Sequence, residues 1–594
     1  MPARRTLEDW QPLEAERKLA TEMASGLTVK IGDGTLPPEN LPDTDPRVLR
    51  TSFLRALILG RIADHPPHEK GVRVQGAYLC GDSKEKNADS VALDLDGCEI
   101  KIDLDLKDCR ITVPIRLNMT RMVSLRLIGS RIHAGIEAKG LIAYGGLILI
   151  SAYVCRTLDL LGASLAGSFD ASSAIFDRYD AGDRGHLDAG VPRIIDGRGL
   201  KVGGGLRLPH ATVDGVVDLT GADIRGDLRL NSLVQRPPSS NCYGAILDRI
   251  RASGNLQLDG VSIPGGLACR HSRINGDFRI DGGDFGKRDN AKPALDLHGT
   301  KINQCLNLKN NVKFNGKLDL GSMRVQLLDD HQGSWPAAGG LILDRISIGG
   351  FAAGGIDARL RSNWLNRMAS EPFSPQPWEE CARVLREMGH GAAAREILIE
   401  KEKRQRAARR ARLLREGRHL AANWHAIWDA VLGGTVRYGR VPLLAAAWLF
   451  LLVWVGAAIF GAAFARDQMK PNLPQIQRAP EWVLCGVAEG ETVRLAGREA
   501  PAAGLRAREQ SRIACFHDQP EGASHPRFSA LAYSADALVP VVSLEMQSYW
   551  IPDDEKPFGA FARFYLWLHI AAGWFLTLLA VAGFSGLIRT DNTT

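Results

Sequence analysis

The chain carries a short period. Through residues 72–357 an 11-residue unit, G-x-L-x-L-x-x-x-x-I-x, returns in phase. Its clearest run is GGLRLPHATVD, GVVDLTGADIR and GDLRLNSLVQR. There Gly204, Gly215 and Gly226 share one column, Leu206, Val217 and Leu228 a second, and Leu208, Leu219 and Leu230 a third. The register reappears at Gly254, Gly265 and Gly276 with Leu256, Leu267 and Phe278, and earlier at Leu93, Leu104 and Ile115. L-x-L has the period of a strand, with both side chains on one face. The residues between are often polar (Arg207, Arg229, Gln257, Arg279) and are expected to meet solvent. Strands this short bury no face alone, so they must stack on copies of themselves.

The expected fold is mainly β, a parallel β-helix solenoid of 11-residue units with apolar columns along its axis and glycines at its corners. Two units per coil, about 22 residues, is the favoured solution, and three per coil is the other. The repeat accounts for the glycine content, 62 of 594 residues against roughly 7% in average usage. Ala222-Asp-Ile224-Arg-Gly226 also resembles the A-[DN]-[LI]-x-x pattern of pentapeptide-repeat proteins, although an 11-residue phase is steadier here than a strict five. A longer period overlies the short one. Breaks near 176–194, 234–244, 281–293 and 328–339 are each followed by an apolar restart, at Ile194-Ile195, Ile246-Leu247, Leu295-Asp-Leu297 and Leu341-Ile-Leu343. Insertions in solenoids gather on one face, often the binding face, which makes this region the expected site of a protein partner.

The ends of such a stack expose strand edges and need covering. Residues 1–70 are expected to form a helical cap. Thr6 and Asp9 suit a capping box, and RVLRTSFLRALILG at 47–60 reads as a helix. The first residues lack the apolar core of a signal peptide, so the repeat (domain 71–358) is expected to stay in the cytosol. A net charge of +7 over this length does not by itself point to nucleic acid.

Residues 359–440 change character. A helical hairpin turns at Gly389-His390-Gly391. Trp378, Cys381, Ala382, Leu385 and Met388 share one face, continued by Ala394, Ile397, Leu398 and Lys401. The pair resembles a single tetratricopeptide-type hairpin, read here as a docking or capping element. Between 401 and 418 stand nine cations, Lys401, Lys403, Arg404, Arg406, Arg409, Arg410, Arg412, Arg415 and Arg418, against two glutamates. Trp424, Trp428 and Tyr438 follow, suited to a membrane interface, and then 25 uncharged residues at 441–465. A second uncharged stretch covers 564–588. Both are long enough to cross a bilayer.

The basic block therefore reads as a juxtamembrane segment that binds anionic lipid, with no role in nucleic-acid binding. By the positive-inside rule both termini are cytoplasmic, including the tail 589–594, and 466–563 is an extracytoplasmic loop. That loop holds Cys485 and Cys515, expected to form a disulfide. The other eight cysteines are expected to remain small core thiols in a reducing compartment.

Residues 526–553 of the loop, PRFSALAYSADALVPVVSLEMQSYWIPD, contain an apolar and re-entrant-like stretch. The order of helix, loop, short helix and helix resembles two-transmembrane potassium channels. The TVGYG filter is absent, with VPVVSLE in its place, so potassium selectivity does not follow. Asp536, Pro540, Ser543 and His569 are the pore-like candidates. His569 is placed within a turn or two of the membrane boundary, as an interfacial residue.

No Rossmann glycine fingerprint, P-loop, H-E-x-x-H, G-x-S-x-G or zinc-spaced cysteine pair occurs. Asp94/Asp96 and Asp103/Asp105 alternate with leucines as outward strand positions. No catalytic residue, cofactor or metal site is expected. The whole architecture, with PWEECARVLREMGH at 377–390 matching P-[WY]-E-x-x-A-x-x-L-R-E-x-G-H, resembles bacterial membrane proteins that join a glycine-rich β-helix to this hairpin and two spans. Such chains are sometimes labelled membrane-associated oxidoreductases, but this one lacks residues to hold a redox cofactor. The functional expectation is a bacterial inner-membrane scaffold with a cytoplasmic interaction surface. The alternatives are a channel-like effector and, on the label alone, an oxidoreductase.

Overall fold

The computed structural model describes residues 5–585 apart from 83–90, 179–192, 237–241, 288–291, 353–354, 370–371, 439, 442, 490, 492, 496–497 and 501–503. The proposed tail 589–594, the end of the second uncharged stretch and the middles of the first three breaks lie outside the described residues. The chain divides into two compact units, residues 1–408 and 409–594.

Parallel sheets build the first unit. One broad sheet and two narrower ones hold nearly all of its strands. The register is regular: Leu206 pairs with Leu228, Leu256 with Phe278 and Leu267 with Leu295, the first two pairs 22 positions apart. That step is two of the 11-residue units. Longer steps mark the breaks, as from Leu158 to Ile195 and from Val217 to Ala245. After every break the chain re-enters the same narrow sheet, at Arg193–Asp196, Ala245–Ile246, Leu295–Asp296 and Leu341–Ile342. The insertions thus open at one corner of the repeat. Leu206, Leu208, Leu219, Leu228, Leu230, Leu256 and Phe278 are fully buried in one continuous core. Arg207, Arg229 and Arg279 stand between them at the surface.

Most glycines of the unit do something other than turn a left-handed corner, Gly215 (φ 149°) being an exception. The positive-φ residue lies five positions earlier, as at Gly221 (φ 72°) before Gly226 and His271 (φ 53°) before Gly276, and is glycine at only some of the corners. Gly204, Gly226, Gly254 and Gly276 instead stack on one another. A Cβ on Gly226 would lie 2.8 Å from the Gly204 carbonyl oxygen, and one on Gly276 would lie 2.8 Å from that of Gly254. The column is glycine because backbone packs directly on backbone there.

Aspartates shape the corners of the narrow sheet. Asp94, Asp159, Asp218, Asp296 and Asp319 each accept from the N–H two residues on, the Asx turn that short acidic side chains favour.

At the N-terminal end, helix α1 (Glu14–Glu22) and helix α2 (Thr51–Ile58) join the same core through Leu19, Phe53, Leu54 and Leu57. The 47–60 stretch is only partly helical, because Val48–Arg50 is a strand paired with Tyr78–Cys80. Asp9 accepts from the N–H and hydroxyl of Thr6, but a 3-10 turn at Glu8–Trp10 follows instead of an α-helix. Buried Glu16 holds Arg50 at 2.6 Å. At the other end, helix α3 (Ala358–Leu365), capped by Asp357, brings Arg361 onto Asp330 at 2.8 Å with both side chains buried. Helices α4 (Gln376–Glu387) and α5 (Gly391–Arg415) form the hairpin. Trp378, Cys381, Ala382, Leu385, Ala394, Ile397 and Leu398 are buried as the spacing predicts, and Met388 lies at the rim. Direct contact with the strands comes from Glu380, which accepts from the Ile348 N–H at 2.8 Å.

The second unit is helical. After α6 (His419–Val436), α7 (Leu443–Ala465) and α14 (Pro557–Phe584) are long and apolar enough to cross a membrane. Between them lie the short helices α8 (Pro474–Gln477), α9 (Pro480–Leu484), α10 (Arg512–His517), α11 (Pro520–Ala523), α12 (Ala530–Leu538) and α13 (Met546–Tyr549). Met469–Pro471 pairs antiparallel with Trp550–Pro552 and closes the base of the connection.

Candidate functional site

The apolar helices α7 and α14 enclose a polar contact built on α12. Ser529 starts α12 by accepting from the Ala532 N–H, and nine residues later the helix ends at a proline-containing turn. Ser534 on its buried face donates to the Val453 carbonyl of α7 at 2.8 Å. The same hydroxyl lies 3.1 Å from His569 Nε2 on α14. The other ring nitrogen of His569 is 3.2 Å from the Tyr565 hydroxyl. One serine therefore ties three helices together.

Two glycines allow the approach. A Cβ on Gly456 of α7 would strike the Ser534 hydroxyl and lie 2.8 Å from the His569 ring. A Cβ on Gly573 of α14 would run into the Leu538 carbonyl at the end of α12. Small residues at helix crossings are how apolar helices bring backbones together.

The pore-like candidates separate. His569 is 2% exposed and lies near the middle of α14, which begins at Pro557. The Asp536 carboxylate accepts from the Leu544 N–H at 2.7 Å and the Gln547 N–H at 2.8 Å, holding the turn after α12. Pro540 lies in that turn and Ser543 is exposed on it. Ser534, Tyr565, Gly456 and Gly573 were not singled out in the sequence. The signal available for them was small or hydroxylated residues within apolar runs.

The connection between α7 and α14 has its own core. Cys485 and Cys515 form a disulfide, with Cα atoms 5.7 Å apart, that ties the end of α9 to α10. Trp482 packs edge-on to Phe516, and Trp550 meets Phe464 and Phe528. His525 is buried among Phe516, Tyr549 and Trp550 with His517 beside it. Burial, followed by the neighbouring His517, lowers the pKa of His525 below the ordinary histidine value.

The basic run is less uniform than its sequence. Lys401 is turned inward, buried, with its ammonium 2.9 Å from Glu379 and 3.5 Å from Glu402. It belongs to the hairpin core and is corrected out of the lipid-facing set. Lys403 and Arg404 lean on Glu400, Arg406 on Glu402 and Arg412 on Glu416. Such exposed pairs contribute little energy but dilute the field of the block. Arg409, Arg415 and Arg418 are exposed and Arg410 is half-buried.

The acid pairs of the repeat are structural. Asp96 accepts from the Asn118 N–H at 2.6 Å, Asp103 from the Ser124 hydroxyl, and Asp105 stands 4.0 Å from Arg126. Burial raises the pKa of the Asp105 carboxyl. The thiols of Cys109, Cys269 and Cys381 are buried, which pushes each pKa up to about 12. They are inert at neutral pH. No protein-family model, no curated protein and no solved structure matches the chain.

Proposed function

We propose that the chain is a bacterial inner-membrane protein whose first unit is a parallel β-helix solenoid of 11-residue units, presented to the cytoplasm as an interaction surface. In this reading α7 and α14 are the two spans of the anchor and α12 is a re-entrant helix that steadies them. The observation that carries it is the pairing of a recurring 22-position register with two long apolar helices flanking a disulfide-bonded connection.

The basic residues before α7 favour the cytoplasmic side for the solenoid. The disulfide favours an oxidising compartment for the connection, and the buried thiols of the solenoid suit a reducing one. Arg409, Arg415 and Arg418 would add about 1 kcal/mol each of attraction to anionic lipid near the surface. Insertions that open at one corner of the repeat supply the variable face that solenoids use for partners.

Reporter fusions at residue 500 and at the C-terminus test the topology. They are expected to report opposite sides of the membrane, and a report from the same side overturns the two-span reading.

A channel-like effector is the second reading. It is favoured by the buried Ser534–His569 contact inside an apolar helix set, since intramembrane ionisable groups are functional candidates. Bilayer conductance of the purified protein, lost on changing residues 528–544, is its expected signature. An electrically silent protein removes it.

A further inference from the structure

Several surface arginines of the strand-built unit are answered by an acid. Arg229 meets Asp227 at 2.8 Å, Arg198 meets Asp196 at 2.8 Å, Arg270 meets Asp248 at 2.5 Å and Arg279 meets Asp259 at 3.2 Å. One column of the broad sheet stacks cations on one another instead. Arg251 pairs in register with Arg273, Arg273 with Lys301, and Lys301 with Arg324. All four are exposed, and among the described residues none of them has an ion-pair partner. Asp223 ends the column beyond Arg251, and Ser347 ends it beyond Arg324. Neighbouring strands lie about 4.8 Å apart, so the four cations stand within roughly 15 Å. Like charges side by side across strands are destabilising.

A second column runs beside the first. Asn275, Asn303 and Gln326 follow two positions after Arg273, Lys301 and Arg324, hence on the same face. Asn303 Nδ2 donates to Asn275 Oδ1 at 3.0 Å. Where the columns end, Lys301, Asn303, Arg324, Gln326 and Arg383 border a concavity of about 330 Å³. A Cβ on Gly349 at its floor would lie 2.5 Å from the Gln326 carbonyl oxygen, so the floor admits no side chain.

We propose that this two-column face binds an extended acidic peptide segment of a partner protein. Carboxylates answer the cations. The amides both donate and accept, which matches a peptide backbone carrying one donor and one acceptor per residue. Single-stranded nucleic acid asks for aromatic stacking platforms beside its cations, and neither column carries an aromatic. An anionic bilayer answers the cations alone and gives the amides no role. The inference rests on the reading of the strand-built unit as an interaction surface and names the chemistry of its partner.

The test uses full-length protein in neutral detergent and a fluorescent oligo-glutamate peptide, read by anisotropy. Binding is expected at low salt and should weaken as salt rises. Arg273→Gln with Lys301→Gln should weaken it at least about tenfold, and the charge-preserving exchange Arg273→Lys with Lys301→Arg should hold it within about threefold. Asn303→Ala with Gln326→Ala should also weaken it. These positions are exposed, and circular dichroism of each variant checks the fold. Unchanged peptide binding in either loss-of-contact variant overturns the proposal. So does preference for a single-stranded oligonucleotide, an acidic polysaccharide or anionic vesicles over the peptide. A partner captured on another face would refute this site while leaving the interaction-surface reading intact, and the reporter fusions judge the membrane topology separately.

Discussion

In the strand-built unit Leu206, Leu228, Leu256 and Phe278 are buried while Arg207, Arg229 and Arg279 face out. In the helical unit Phe450, Trp454, Trp567 and Leu578 are exposed along α7 and α14 while Ser534 and His569 are buried. The same chain thus packs apolar-in over its first part and polar-in along its two long helices. If α7 and α14 cross a bilayer as proposed, the contrast is what two solvents require: water rewards apolar burial, and lipid rewards satisfaction of every polar group inside the protein. Where backbones must touch, both units use glycine. Gly226 meets the Gly204 carbonyl, and Gly573 meets the Leu538 carbonyl.

The largest effect is expected where the first unit breaks its own rule. Arg361 and Asp330 are each 1% exposed at the end of the stack, and Arg361 also lies 4.0 Å over the Phe351 ring. Arg361→Ala leaves a buried carboxylate without its cation and should cost about 3–5 kcal/mol. Thermal melting of the full-length protein, followed by the circular dichroism of its strands, measures this. A loss below about 1 kcal/mol would mean that water already reaches the pair.

Overpacking comes next. Gly573→Val should destabilise the helical unit by about 1–3 kcal/mol, and Gly226→Val the strand-built unit by a similar amount. Detergent unfolding followed by tryptophan fluorescence reads the first, and the strand signal reads the second. If each variant perturbs only its own signal, the two units are independent in stability. If either variant moves both signals, they unfold together.

The strands were legible because every unit repeats the same constraint. Leu206 alone predicts little, but Leu206, Leu228 and Leu256 in one phase leave few alternatives to a stack. The role of the glycines was not legible, because close stacking and left-handed turning both select glycine, and only the backbone φ of Gly226 and Gly221 separates them. Lys401 stood on the predicted apolar face of the hairpin and within the basic run at once, and burial against Glu379 decided between the two. The burial of His569 was not legible, because it depends on which helices pack against α14. Ser534 stood out only as a hydroxyl within an apolar run, since its importance lies in which two helices it meets. The four-cation column was largely hidden, because only Arg251 and Arg273 are one regular 22-position step apart, and Lys301 and Arg324 join them through longer steps.

The smallest effect is also the one that tests the comparison most directly. Ser534→Ala removes a donor to the Val453 carbonyl and a neighbour of His569 Nε2 with almost no change in volume. Hydrogen bonds between helices in lipid average about 0.6 kcal/mol and reach about 1.7, because the separated helices find other partners in the bilayer. Ser534→Ala should therefore cost about 1 kcal/mol in detergent unfolding, and a double-mutant cycle with His569→Phe should show coupling of similar size. The matched change in the water-facing unit is Arg229→Ala, which removes the exposed pair with Asp227 and should cost between about 0 and 1 kcal/mol. Salt separates the two. Raising the ionic strength should shrink the Arg229 effect and leave the Ser534 effect unchanged, since mobile ions screen exposed charges and do not enter an apolar helix contact. Equal salt sensitivity at both sites would mean that Ser534 is reached by water, and that the helical unit is not packed for lipid.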